Sequence, residues 1–266
     1  MITPEMNGGG LWAILAALLP AFVMLAYVFW YDRAHPEPIA VLFKGFVCGI
    51  VSVGLLYLLW NYFPDYFEWA DSGTSVLDKI KDSVFSAAIP EETVKLLMFW
   101  ILVSNNHFFD QRFDGIVYAV SVGMGFAALE NIDYVFFYAG PLWGSVAAAR
   151  AVLSVPGHYI MAVMMGYFYS VAKYKREKGW KRLWQLSLIW MVPVLIHGTY
   201  DAIAMNMKYS DTVYIILTIA LFVFCYVLHK LCNRLIQKQL LADCENGVGS
   251  KRWKHRDLES IAEIND

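Results

Sequence analysis

The apolar positions of this chain come in long unbroken stretches, without the period of two that marks a half-buried strand. Seven stretches, about 11–30, 39–63, 83–103, 114–139, 145–171, 183–206 and 212–234, are long enough to cross a bilayer. Each predicts a helix, because a segment in lipid must satisfy its own backbone hydrogen bonds. The connections carry turn chemistry: Pro36 and Pro38 follow Asp32, Asn105 and Asn106 precede Asp110, and Gly140-Pro141 breaks the chain. The longer connection from Pro64 to Asp82 is acidic and holds Tyr66, Phe67 and Trp69, side chains suited to a membrane interface. No internal repeat is visible. The expected architecture is an all-α polytopic membrane bundle of about seven helices. Residues 1–234 form one transmembrane domain with its polar core at about 83–206, and 235–266 form a polar cytoplasmic tail.

Composition supports this reading. Apolar residues make up 59% of the chain and charged residues only 17%, whereas a soluble domain carries about 25% charged residues. The first stretch lacks a basic leader, so it is expected to remain as an anchor. Positive charge sets the orientation. Lys173, Lys175, Arg176, Lys178, Lys181 and Arg182 follow the fifth stretch, and Lys230, Arg234 and Lys238 close the seventh. Both groups are expected in the cytoplasm, which places the N-terminus and the Pro64–Asp82 connection outside. The basic clusters lie at helix ends, where lipid headgroups explain them, so no nucleic acid is expected as a partner. Cys48, Cys225, Cys232 and Cys244 show no paired spacing, which argues against a disulfide framework.

Charge inside the apolar stretches changes the picture further. A charged side chain at mid-membrane costs about 2.5–3.5 kcal/mol. The third stretch contains Glu91, Glu92 and Lys95, the fourth Glu130 and Asp133, the fifth Arg150 and His158, and the sixth His197 and Asp201. Such residues belong in a bundle interior or a watery cavity, where they mark function by default. Glu91, Glu130 and His197 fall at a similar depth, with His158 some four residues deeper. His197 and Asp201 are i, i+4 neighbours, as are Glu91 and Lys95. Arg150, Ser154, His158, Ala162 and Gly166 form one stripe whose small members permit close helix packing. Gly123 and Gly125 permit the same before Glu130, and Pro156-Gly157 is expected to loosen the helix at His158.

Hydrolysis inside a membrane needs a held water, a base to activate it and donors for the developing oxyanion. A buried glutamate supplies the base, and histidines orient the water, donate to the oxyanion or bind zinc. A proton-coupled transporter would use the same residue types, and a noncatalytic scaffold would keep them as a register-fixing network. From the residues alone all three readings stay open, with the hydrolase favoured.

The motifs Glu91-Glu92-x-x-Lys95, Phe126-x-x-x-Glu130, the isolated His158 and His197-Gly-Thr-Tyr-Asp201 resemble those of the PrsW family, within the wider group of CAAX prenyl endopeptidases and bacteriocin-processing proteases. The stretch FDGIVYAVSVGMGFAALEN, opened by Phe113-Asp114-Gly115, is especially similar. The resemblance implies an endopeptidase of the bacterial cytoplasmic membrane that makes the first cut in a single-span membrane substrate, an anti-sigma factor, during stress signalling. It implies Glu91 as the base that activates water and Glu92 as a second carboxylate beside it. His197 then stabilises the oxyanion with Asp201 orienting it, and Glu130 and His158 complete the catalytic group. Lys95, Phe126, Asn131 and Asp114 are the implied supporting residues. Related CAAX proteases carry His where this chain has Glu130, and Asn where it has Asp201. Both a glutamate mechanism and zinc are compatible with the resemblance, with His158, Glu130, His197 and Asp201 as candidate zinc ligands; no HExxH pair is present.

Overall fold

A computed structural model describes residues 10–33, 35–207 and 210–245, and the described residues are almost entirely helical, with no strand. The helices are α1 (Gly10–Asp32), α2 (Ile39–Tyr62), the short α3 (Pro64–Ala70) and α4 (Val76–Asp82), α5 (Ile89–Ser104), α6 (Asp114–Asp133), the short α7 (Trp143–Ala149), α8 (Val155–Lys175), α9 (Trp180–Met205) and α10 (Asp211–Glu245). Six helical segments are long and apolar enough to cross a membrane: Gly10–Asp32, Ile39–Tyr62, Asp114–Phe137, Gly140–Lys175, Trp180–Met205 and Asp211–Glu245.

The seventh expected span is helical but is not among those six. Its regular part, α5, has 16 residues and carries Glu91, Glu92 and Lys95. It nevertheless travels the length of the bundle. Gln111, just before α6, bonds to His35 of the α1–α2 connection (Nε2 to Nδ1, 2.5 Å), Lys173 of α8 donates to Phe109 O (3.0 Å), and Asp243 of α10 accepts from the backbone N–H of Arg112 and Phe113 (2.9 Å each). The α1–α2, α5–α6 and α8–α9 connections and the end of α10 therefore gather at one face. Because α2 ends at the opposite face, the continuous helical path Val76–Ser104 must return the chain between them.

At its far end α10 extends beyond the expected boundary near Arg234. It runs to Glu245 because Cys232, Ile236 and Leu240 bury their side chains and Asp243 caps the start of α6. Of the expected tail, 246–266 lies outside the described residues, as do residues 1–9.

α6 is the centre of the bundle. It packs against α1, α2, α5 and α8, and 83% of its apolar window is buried, against 11–50% in the other five spans. Two glycine contacts make this possible. A Cβ on Gly125 would lie 2.0 Å from the carbonyl oxygen of Phe46 on α2, and one on Gly166 of α8 would lie 2.2 Å from that of Gly115. The Arg150–Gly166 stripe read from the sequence thus packs its small end on α6.

Three stretches of wider π-helix flank the polar residues: Ser83–Ala88, Tyr134–Tyr138 and Arg150–Ser154. Two of them end just before Pro90 and Pro156. Proline has no N–H and its ring crowds the carbonyl four residues back, so the ladder shifts register: Ile89 N–H bonds Val84 O and Val155 N–H bonds Arg150 O. The expected loosening at Pro156-Gly157 takes this form, one turn before His158.

Gly125→Val should destabilise the detergent-purified protein by about 1–3 kcal/mol or more, since the added atoms meet backbone rather than a yielding side chain. Gly144→Ala, which meets nothing within 4 Å, is the control. Equal unfolding temperatures for the two variants would contradict the close α2–α6 contact. For orientation, reporter fusions after Lys178 and Arg234 are expected to read cytoplasm and one after Trp69 the outside; a cytoplasmic signal at Trp69 would reverse it.

Candidate active site

The polar residues of α5, α6, α8 and α9 meet in one connected cluster. Proline and the preceding π-helical turn aim the start of α5 inward, so Glu91, Glu92 and Lys95 share its buried face at 8%, 1% and 4% exposure. The Lys95 ammonium donates to Glu91 Oε2 (3.1 Å), Glu92 Oε1 (2.9 Å) and His158 Nδ1 (3.2 Å). The ring of Phe126 on α6 lies 3.8 Å from it, a cation–π contact. On one side the network continues through His158 Nε2 to Glu130 Oε2 (2.8 Å), which also accepts from Arg150 Nη2 (2.5 Å). On the other side Glu92 Oε1 bonds His197 Nδ1 (3.0 Å), and His197 Nε2 lies 3.2 Å from Asp201 Oδ2 and 3.9 Å from Glu91 Oε2. The two imidazole rings stand nearly perpendicular, with centroids 5.7 Å apart.

Hydrogen-bond direction assigns the tautomers. An ammonium has donors only, so His158 Nδ1 accepts and its Nε2–H donates to Glu130. His197 faces a carboxylate oxygen with each ring nitrogen. No ring nitrogen of either histidine is left without a partner.

Two cavities meet at this cluster. One of about 790 Å³ is walled by Tyr57 and Trp60 of α2, Phe67, Glu68 and Asp71 at α3, and Asp133 of α6. The other, of about 510 Å³, lies among Arg150, His158, His197, Tyr200 and Asp201. Glu91, Glu130 and Tyr134 line both. Glu91 Oε2 takes the Lys95 hydrogen bond, and no described protein group bonds its Oε1, which leaves that oxygen to the cavity.

Nine of the ten residues singled out from the sequence lie in or against this cluster. Asn131 is a strut: its Oδ1 accepts from Arg150 Nε (2.6 Å) and its amide donates to Ala17 O of α1 (2.9 Å). Asp114 is the exception. It sits at the other end of α6, roughly 24 Å away along the axis, where its Oδ2 accepts from the backbone N–H of Asp110 (2.9 Å) and Gln111 (2.7 Å) and closes the turn that starts the helix. Its place beside the site motifs in sequence therefore reflects a helix start and not the site. Arg150 was not among the ten, although the stripe that it shares with His158 pointed inward. Its guanidinium also lies over the ring of Tyr134 (4.0 Å) and holds Glu130 in place.

The four side chains offered as zinc ligands do not form one set. Glu130 and His158 pair with each other, and Asp201 and His197 with each other. Among the described residues, the group of three donors close enough to hold an ion is Glu91, Glu92 and His158, within 4.8 Å of one another. Lys95 Nζ already bonds all three of these side chains. As arranged, these residues do not fit a metal.

Removing one partner of a buried ion pair costs about 3–5 kcal/mol. Glu92→Gln, which loses charge beside both Lys95 and His197, should therefore destabilise the protein by that order. Glu91→Gln, on the cavity wall, should destabilise it less. Equal shifts in apparent unfolding temperature would contradict this division.

Comparison with known proteins identifies the family. A family described as PrsW family intramembrane metalloprotease matches residues 37–228. The curated relative Protease PrsW of Clostridioides difficile (strain 630) is 34% identical over 194 residues, covering 72% of this chain and 78% of that protein. Protease PrsW of Geobacillus kaustophilus (strain HTA426) is 32% identical over 71% of this chain and 77% of its own. That of Bacillus subtilis (strain 168) is 31% identical over 82% and 93%. No solved structure matches. Matched over most of its length to bacterial proteases, with buried Glu and His side chains on consecutive membrane helices, the chain belongs to the PrsW family of intramembrane proteases, hydrolases of the cell membrane.

Proposed function

We propose that this protein cuts a single-span membrane protein within the bilayer, and that its substrate is an anti-sigma factor whose cleavage starts a stress response. The observation that carries the catalytic part is Glu91: one carboxylate oxygen is fixed by Lys95 while the other faces the junction of two cavities. In this reading Glu91 takes a proton from water and the resulting hydroxide attacks the scissile carbonyl. His197, flanked by Glu92 and Asp201, supplies the positive end next to the developing oxyanion. Glu91 then returns the proton to the amide nitrogen as the C–N bond breaks. Glu130 is less suited to be the base, because two donors, Arg150 and His158, share its Oε2 and draw charge from the carboxylate, against the single Lys95 bond to Glu91. Its role is to hold those two groups. The anti-sigma substrate rests on the resemblance of the motifs.

The test is co-expression with tagged single-span membrane proteins. Glu91→Gln keeps size and polarity but removes the carboxylate, and should abolish cleavage with normal expression and membrane insertion. His197→Ala should lower it by at least about 10²-fold, the scale of a lost oxyanion donor. Cleavage at the wild-type rate by both Glu91→Gln and Glu92→Gln would sink the glutamate mechanism.

A further inference from the structure

The family's description names a metal, and the donor types of this site, two carboxylates and an imidazole, are ones that zinc accepts. The geometry points to a different cation. We infer that the Lys95 ammonium stands where a metal ion would sit, as a tethered cation that positions Glu91, Glu92 and His158. This rests on the cavity being the catalytic centre, but its test measures no cleavage.

Distance is the first support. Zinc binds nitrogen and oxygen donors at about 2.0–2.2 Å. Here Glu91, Glu92 and His158 stand 2.9–3.2 Å from Lys95 Nζ, the separation of charge-assisted hydrogen bonds. Valence is the second. The three N–H groups of an ammonium match three acceptors, and the fourth direction is its own side chain. The Phe126 ring at 3.8 Å adds an apolar wall with a negative face, which suits an ammonium and offers no donor atom to a metal. Proton placement is the third. His158 presents the lone pair of Nδ1 to Lys95 and spends its Nε2–H on Glu130, so a metal at His158 would have to displace Lys95 or Glu130. Lys95 is buried at 4% exposure on the same helix as both glutamates, three and four residues after them, which holds its ammonium against their carboxylates. Lys95 is thus a positioning residue: it fixes one oxygen of Glu91 and turns the other to the cavity, and it sets the tautomer of His158.

The experiment uses the full chain in detergent, with Co²⁺ as a coloured stand-in for zinc. After dialysis against Co²⁺, wild-type protein is expected to hold no more ion than His158→Ala and to show no ligand-field absorption. Lys95→Ala vacates the centre of the three donors. If it elutes as a folded monodisperse species, its freed carboxylates and imidazole are expected to bind Co²⁺ at least about tenfold more tightly than wild type. Glu92→Gln in that background should remove the gain. One Co²⁺ bound by wild type and lost in His158→Ala would overturn the inference. So would a folded Lys95→Ala that gains no affinity. The wild-type measurement decides the question even where Lys95→Ala fails to fold. Because every arm reads metal uptake, a failed cleavage assay would leave this result standing, and a failed uptake experiment would leave Glu91 as the proposed base.

Discussion

One ammonium group, buried in the apolar slab, sets the conditions for the rest of the site. Lys95 cannot sit at 4% exposure without acceptors for all three of its protons. Two come from its own helix, one turn back, and their register follows from α-helical geometry. The third must come from elsewhere, and His158 on α8 provides it. That bond fixes the His158 tautomer, which fixes Glu130 as an acceptor, which in turn fixes Arg150. Through Glu92 the same ammonium shares an acceptor with His197. Four helices are thus locked in rotation by a chain of bonds that starts at one side chain. The close glycine contacts of α6 with α2 and α8 set the distances; the polar chain sets the angles.

Those two devices make opposite demands on the backbone. Glycine contacts draw helices together, whereas a cavity needs them apart. At Gly125 the two demands meet at one level, since its contact with Phe46 lies beside Phe126 of the polar cluster. The tight contacts at Gly115 and Gly166 lie toward the face where the connections gather. The π-helical stretches lie at the level of the polar cluster, before Glu91 and His158 and after Glu130. A wider helical turn pushes its residues outward and leaves room beside them. Proline explains two of the three stretches.

Most of this architecture was legible in the chain, because lipid imposes a simple code: long apolar runs, turn residues between them, and charge where function needs it. The spans, the inward polar residues and their common depth all follow from it. The α5 helix shows where averaging over a run fails. Leu97, Trp100 and Ile101 are exposed on one face, while Glu91, Glu92 and Lys95 are buried on the other. Its three charges mark the run as too charged for a span when the faces are not told apart, although its outer face suits lipid. Asp114 misled for a different reason. A carboxylate that closes the turn before a helix has the same sequence signature as one that belongs to a site. Lys95 at the centre of the donor trio was visible only in part: spacing pairs it with Glu91, but nothing in the sequence brings His158 to it.

An intramembrane hydrolase must bring water and an apolar substrate to the same atom, and Glu91 lines both cavities at the cluster. The larger cavity runs from Glu91 past Asp82, Asp71 and Glu68 to the acidic connection at α3 and α4, and its wall also carries Val53, Leu56, Trp60 and Phe67. The smaller cavity sets Leu153, Met161, Ala204 and Leu221 beside Arg150, His158, His197 and Asp201. Glu91 and Glu130 stand where the two meet, and Glu130 is engaged by Arg150 and His158. Under the proposed mechanism that leaves Glu91 as the group that takes a proton from water and returns it to the leaving nitrogen.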